Sequence, residues 1–238
     1  MTCFFPMTGR LGGLLFIYAF ARAFCENHGY DLCLPPWIGE CIFKIPLAVR
    51  PNGRPDRTMA EQTYQNQDSL IYTREQVRSW FQIRDDVLEN LKPVLKNRKL
   101  VTLNIRKASD YIGAGLVMIS EDSYYQAAKK EGYENGEFEF ETDLEPTRLP
   151  QFTGDISASG LCTSWVALPS FYKLMTANVL FRANSTFSWW AATLGNAKVF
   201  SPIIRGMRGG VPNQTCEKFV EGNWPVMADV HPNTDLHL

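Results

Sequence analysis

The sequence predicts an α/β fold with parallel sheet, on three observations. The apolar, β-favouring run Val179-Leu180-Phe181 passes through a polar turn into Trp189-Trp190-Ala191-Ala192-Thr193-Leu194, which stops at Gly195. Near the start, the run Thr2 to Met7 is followed by the glycine-bearing loop Thr8 to Gly13 and an apolar helical stretch, Leu14 to Asn27, that stops near Gly29. A third strand, Leu100 to Ile105, ends in a polar, basic segment. A strand followed at once by a Gly- or Ser/Thr-bearing loop and then a helix is a β–α unit, and ligands of open α/β sheets bind at such loops.

A chain of 238 residues with 45% hydrophobic content can bury one large core or two small ones, and a net charge of −1 gives no electrostatic footprint for nucleic acid. The six cysteines, Cys3, Cys25, Cys33, Cys41, Cys162 and Cys216, form no CxxC pair and have no histidine at zinc spacing, which argues against a structural metal and for free, mostly buried thiols. Leu11 to Phe24 is apolar apart from Arg22 and contains Ala19-Phe20-Ala21, so it superficially resembles a signal peptide. It is too short to span a bilayer, and the strand and glycine turn before it read as folded protein.

Between Asp31 and Asp68 the chain is rich in proline and polar residues and shows no regular element; it reads as a long loop of the functional or partly disordered kind. Thr73 to Leu91 is helical, with Val77, Trp80, Phe81, Ile83, Val87, Leu88 and Leu91 on a broad face and Thr73 with Gln76 as a capping box. The basic run Lys96-Asn97-Arg98-Lys99 reads as a solvated linker at a domain boundary, and Glu26, Asp31 and Glu40 are candidate proton acceptors by location alone. Beyond Ile105, Ser120 to Gly132 reads as a helix, Glu131 to Glu145 as an exposed acidic hairpin or loop, and Leu149 to Asp155 as a strand. Lys198 to Pro202 is a further strand, followed by a glycine-rich segment and a tail with few apolar repeats. His28, His231 and His237 have no partners at ligand spacing and are assigned no role.

The chemistry gathers at Arg182-Ala183-Asn184-Ser185-Thr186-Phe187-Ser188. Asn184, Ser185, Thr186 and Ser188 can cap a helix whose first amides have no partner inside it, and such a terminus attracts anions. An ordinary capped helix would use the same residues, and the paired tryptophans suit a ligand wall and a core equally. Arg106 at the end of the third strand can bind a diphosphate bidentately; the alternative is a structural arginine paired with Asp110 or another carboxylate.

The stretch Ala183 to Ala192 resembles the C-terminal motif of the α-1,2-fucosyltransferase family, contiguously over ten residues. Gly9-Arg10-Leu11-Gly12-Gly13-Leu14 resembles the family's glycine-bearing opening, with Gly13 where the family has asparagine. Asn104-Ile105-Arg106-Lys107-Ala108-Ser109-Asp110-Tyr111 looks like its His-x-Arg-Arg-x-Asp-Tyr segment, and Phe171 to Met175 resembles its Asp-Phe-x-Leu-Met helix, with Ser170 at the position of the aspartate. The resemblance implies a GT-B-like arrangement of two Rossmann-like lobes with parallel sheets: an acceptor-side lobe, 1–97, and a sugar-nucleotide lobe, 98–238, with the donor in the cleft between them.

It further implies transfer of L-fucose from GDP-fucose to a sugar hydroxyl of a glycan, with inversion, no cofactor and no metal. Arg106 and Asp110 are the implied catalytic pair. Arg10, Gly12, Gly13, Asn104, Lys107, Asp155, Asn184, Ser185, Thr186, Phe187 and Ser188 are the implied donor contacts; for Asp155 an Asx turn is an equal reading. The departures at Gly13, Asn104 and Ser170 leave two alternatives open, a different sugar nucleotide or a non-catalytic nucleotide- or glycan-binding member. With no nucleic-acid partner and no membrane-spanning segment expected, the implied location is cytoplasmic, or the Golgi lumen for a fragment lacking its anchor.

Overall fold

The computed structural model describes residues 1–46, 49–50, 53–62, 64–65, 67–106, 119–134, 137–142, 161–204 and 216–223. These divide into two compact units, one built on Met1–Leu91 with the start of a later helix, the other taking over from Lys92. The fold is α/β and GT-B-like, with a parallel sheet in each unit.

In the first unit, β1 (Thr2–Phe4) lies between two parallel neighbours, β2 (Asp31–Cys33) and β3 (Arg57–Thr58). Helix α1 (Leu11–His28) follows β1 and ends at Gly29, whose φ of 69° and N–H bond to the Cys25 carbonyl make a left-handed C-cap that glycine adopts without strain. The helix starts three residues earlier than expected, so Gly12 and Gly13 lie in its first turn rather than in the loop. Its apolar side chains are buried nearly all round, with Tyr18 stacked on Trp37 at 5.0 Å and Phe20 on Tyr64 at 4.1 Å. Cys3, Cys25 and Cys33 are buried and Cys41 half-buried, all as free thiols.

The proline-rich excursion is more ordered than its composition suggests. It contributes β2 and β3 to the sheet and a short helix, α2 (Gly39–Ile42). The expected helix Thr73 to Leu91 is two helices, α3 (Arg74–Trp80) and α4 (Asp85–Leu91). Both arms of the Thr73–Gln76 capping box form, at 3.2 and 2.7 Å. The break follows from tertiary pairing: Phe43 bridges Ile83, Lys44 N–H donates to the Gln82 carbonyl at 2.7 Å, and Arg84 N–H to the Ile42 carbonyl at 2.9 Å. Those bonds need backbone groups that a continuous helix would have consumed.

The second unit is a five-stranded sheet in the order β5-β4-β6-β7-β8. Its strands are β4 (Val101–Ile105), β5 (Phe138–Thr142), β6 (Val179–Phe181), β7 (Lys198–Ile204) and β8 (Cys216–Glu221). The β4, β5, β6 and β7 pairings are parallel, and β8 is an antiparallel edge on β7. Two of these strands differ from expectation: the acidic segment read as an exposed hairpin or loop supplies β5, paired parallel to β4, and β8 lies in the region read as tail.

Three helices accompany the sheet: α5 (Glu121–Lys130, capped by Ser120), α6 (Leu161–Met175) and α7 (Thr186–Leu194). One core packs Val101, Leu103 and Ile105 of β4 with Tyr124 and Ala128 of α5, while Phe181 stacks on its ladder partner Phe200 at 4.4 Å. The fully buried β6 reads as a continuous apolar run, as parallel strands covered on both faces do, whereas β4 carries Thr102 and Asn104 among its apolar residues.

The basic run before β4 is not a solvated linker at Arg98. Its guanidinium meets Glu139 Oε1 at 2.5 Å and donates to Thr102 Oγ1, Thr176 Oγ1 and the Lys173 carbonyl, tying the amino ends of β4 and β5 to the end of α6.

Candidate functional site

In the second unit the predicted residues converge at the carboxyl end of β4 and β6. The β4–β6 ladder ends at the pair Leu103–Phe181, while Asn104 and Ile105 stay paired to β5, so the end of β4 and Arg106 after it stand beside the chain that leaves β6 at Arg182. Arg106 Nη1 donates to Ser185 Oγ at 3.3 Å across 79 residues of sequence. Ser185 is the N-cap of α7, with extended φ and ψ of −147° and 138°, and its Oγ accepts from Phe187 N–H at 3.3 Å. A guanidinium therefore stands against the hydroxyl that caps a nine-residue helix, where the helix dipole adds positive potential. Cation, hydroxyl and first-turn amides together form a cradle suited to a phosphate.

The rest of the motif builds the turn. Ser188 is fully buried and its hydroxyl donates to the carbonyls of Ala183 and Ser185, at 3.0 and 3.2 Å. Asn184 is buried at 5%, Thr186 and Phe187 are half-buried, and the Phe187 ring meets Phe171 of α6 edge-on at 5.2 Å. Trp189 and Trp190, 1% and 0% exposed and T-shaped at 5.1 Å, belong to the core rather than to a ligand wall.

Arg182, named in the motif but given no role by sequence reasoning, is 1% exposed. Its Nε donates to Ser201 Oγ at 2.8 Å and its Nη1 to the Ala183 carbonyl at 3.0 Å. Sequence alone offers no means of telling this buried arginine from a ligand-facing one; the buried partner Ser201 lies on the next strand.

Asn104 is half-buried and bridges two strands' ends. Its Nδ2 donates to the Glu141 carbonyl at 3.2 Å and its Oδ1 accepts from Ala183 N–H at 3.2 Å. Ser170 makes a 2.5 Å bond to Glu141 Oε1, and Lys173 meets Glu141 Oε2 at 3.0 Å. Where the resemblance leads to a carboxylate on α6, this chain has a serine that holds a buried carboxylate, Glu141, on β5; the sequence reading puts Glu141 in an exposed hairpin or loop.

In the first unit, Arg10 is the exposed N-cap of α1 and makes no side-chain cap. Gly12 is buried and Gly13 half-buried in the first turn. A Cβ on Gly13 would meet Gln65 Nε2 at 3.8 Å and the Thr8 carbonyl at 4.0 Å, which is ordinary contact. Of the three candidate carboxylates, Asp31 begins β2 and Glu26 ends α1, paired to Arg22 at 2.9 Å, so both sit at the amino edge of that sheet. Glu40 follows the carboxyl end of β2, and its Oε2 accepts from Arg50 Nη2 at 2.5 Å. Lys107, Asp110 and Asp155 lie outside the described residues.

Among the described residues no cluster of His, Cys, Asp and Glu could hold a metal ion, and no helix is long and apolar enough to cross a membrane.

No family model and no curated protein matches the chain. Solved structures do. The crystal structure of NodZ α-1,6-fucosyltransferase soaked with GDP-fucose superposes with a TM-score of 0.53 at 12% identity, covering 93% of this chain and 99% of that one. The same enzyme co-crystallised with GDP gives 0.51 at 11%, covering 94% and 100%. Fucosyltransferase NodZ from Bradyrhizobium gives 0.51 at 14%, covering 84% and 96%. This chain's fold is fucosyltransferase-like. Two of these neighbours are named for an α-1,6 linkage and the motif resembles an α-1,2 family; the fold is what the likeness establishes, and linkage is not part of it.

Proposed function

We propose that the chain is a glycosyltransferase that moves an L-fucosyl group from GDP-fucose to a sugar hydroxyl of a glycan. The observation that carries this reading is the contact of Arg106 with the Ser185 cap of α7, a cation at a helix N-terminus on the carboxyl edge of a parallel sheet. Solved proteins of the same fold have been soaked with GDP-fucose and crystallised with GDP, which supports the choice of donor.

In this mechanism the bond between the sugar C1 and the diphosphate oxygen breaks, its electron pair passes to the diphosphate, and an acceptor oxygen bonds to C1 from the opposite face, inverting it. Charge grows on the leaving diphosphate, so fixed donors aimed there lower the barrier without a metal. Arg106, Ser185 Oγ and the amides that follow are those donors, with Lys107 as a further proposed donor contact and Asp110 as the proposed partner that holds Arg106. Arg10, Gly12, Gly13, Thr186 and Asp155 complete the proposed donor contacts. The acceptor proton passes to a carboxylate, for which Glu40, just beyond the carboxyl end of β2, is the proposed group. Residues 1–97 would form the acceptor-side lobe and 98–238 the donor lobe.

Thermal shift with GDP, UDP, CDP and TDP and their sugar forms, on wild type and Arg106→Ala, tests the reading, because a ligand that binds the native state raises its melting temperature. A shift confined to GDP and GDP-fucose and lost in the variant is expected. Preference for another base would replace the donor, and no shift with any nucleotide would overturn the transferase reading in favour of a non-catalytic binding protein.

A further inference from the structure

We infer that Asn104 is the positioning residue of the anion turn, setting donor affinity through the backbone at Ala183 rather than by contact with the nucleotide; this rests on the donor-site reading above. The β4–β6 ladder ends at Leu103–Phe181, and the Asn104 side chain continues the contact beyond it. Its Oδ1 takes the Ala183 N–H and its Nδ2 binds the Glu141 carbonyl, both at 3.2 Å. A backbone N–H needs an acceptor and a carbonyl needs a donor, so the two partners fix which way the amide faces.

Ala183 is the pivot of the turn. Its carbonyl accepts from Arg182 Nη1, Ser188 Oγ and Ser185 N–H, at 3.0, 3.0 and 2.9 Å. Ser185, bonded to that carbonyl, carries the Oγ that meets Arg106. On the other side, Glu141 is clamped through its carboxylate by Ser170 and Lys173 of α6. A rigid path therefore runs from α6 through Glu141 and Asn104 to Ala183 and the Ser185 hydroxyl. Without Asn104 the Ala183 N–H would lose a partner and the turn would lose its one side-chain tie to β4 among the hydrogen bonds described.

The test is a double-mutant cycle read by calorimetric titration of GDP into wild type, Asn104→Leu, Ser185→Ala and the double variant. Asn104→Leu should weaken GDP about tenfold, the effect of leaving one buried N–H without an acceptor. If Asn104 acts through the turn, the double variant should bind little worse than the weaker single. Losses that multiply, or an unchanged Asn104→Leu, overturn the proposal. Asn104→Asp keeps the acceptor for Ala183 but turns a carboxylate toward the Glu141 carbonyl; protonation restores a donor, so its affinity relative to wild type should recover as pH falls through the carboxyl range, which simple loss of a fold contact would not do.

Amide hydrogen exchange without ligand separates the two readings. If wild type fails to bind GDP yet Asn104→Leu speeds exchange at Ala183 and Ser185, the donor site falls and the positioning role stands. Unchanged exchange at both amides refutes the positioning role whatever GDP does.

Discussion

Ser185 serves two masters, and the pair Ser185→Ala and Ser185→Gly separates them. Its hydroxyl accepts from Phe187 N–H at 3.3 Å as the helix cap, and it receives Arg106 Nη1 at 3.3 Å as the proposed anion group. Replacing a serine cap by alanine costs about 0.5–2 kcal/mol and by glycine a few tenths, because glycine leaves the amide open to water. The 3.3 Å bond is at the long end of the N–H···O range, and Ser185 is only 7% exposed, so about 1 kcal/mol is the expected loss for alanine. With a urea dependence of about 2 kcal/mol/M, that moves the unfolding midpoint by about 0.5 M, and the glycine variant by about 0.1–0.2 M. Both variants remove the hydroxyl equally, so both should weaken GDP by a similar factor, about tenfold, for one bond to a charged ligand. Urea unfolding followed by fluorescence of buried Trp189 and Trp190, with titration of GDP, measures both. Equal destabilisation by the two substitutions would refute the cap; wild-type GDP affinity in both would remove the hydroxyl from the anion site.

Arg98→Met should destabilise by about 2–4 kcal/mol, since it strands the Glu139 carboxylate and empties bonds to Thr102, Thr176 and Lys173, with urea unfolding as the check. Gly195→Ala should cost about 2 kcal/mol and several degrees of melting temperature, because a Cβ there would fall 2.0 Å from the Met175 carbonyl oxygen, a backbone atom unable to swing aside. Gly13→Ala should instead raise the melting temperature by about a degree or more, as the site has ordinary space and a helical glycine is about 0.5–1 kcal/mol worse than alanine. Burial pushes the Cys25 thiol up to about 12, with the Cys3 thiol beside it adding to the shift. The folded state thus holds a proton that the unfolded chain releases near the ordinary thiol value of 9.0, so this stability is complete below about pH 9 and lost as pH rises toward about 12. Wild type should therefore lose melting temperature more steeply over that window than Cys25→Ala, and equal slopes would contradict it.

What was legible in the sequence was local. The cap Ser185, the capping box of Thr73 and Gln76, and the left-handed stop at Gly29 lie within a turn of the helices they bound, so residue type and spacing suffice. Gly195 also reads as a helix stop, and the structure supplies the reason: its φ is −85°, so close approach to Met175, and not a left-handed turn, excludes a side chain. Elements decided by distant partners were not legible. The segment Phe138-Glu139-Phe140-Glu141 reads as an acidic loop until Arg98 and Lys173 neutralise its carboxylates from 41 and 32 residues away. The break between α3 and α4 depends on residues 42–44, and β8 depends on the edge that β7 offers it. At the site, Arg106 and Ser185 could be named from their strand end and helix cap. The part played by Asn104 could not, because its partner Ala183 is 79 residues on.

The two arginines that flank β4 show how one sheet sorts structure from chemistry. Arg98, at the amino end, is 15% exposed and spends its guanidinium on a carboxylate, two hydroxyls and a carbonyl. Those acceptors come from β4 itself, from β5 and from the end of α6, so its charge is consumed in holding the sheet. Arg106, eight residues on and at the carboxyl end, meets a hydroxyl already committed to a helix amide. Helices that follow parallel strands begin at the carboxyl edge, so their unsatisfied amides gather there and leave the amino edge to their carbonyl ends. A cation at the amino edge finds protein acceptors, whereas a cation at the carboxyl edge stands among donors and adds to their field. On the proposed reading, a diphosphate that gains charge as its bond to a sugar breaks would meet this field when it needs it.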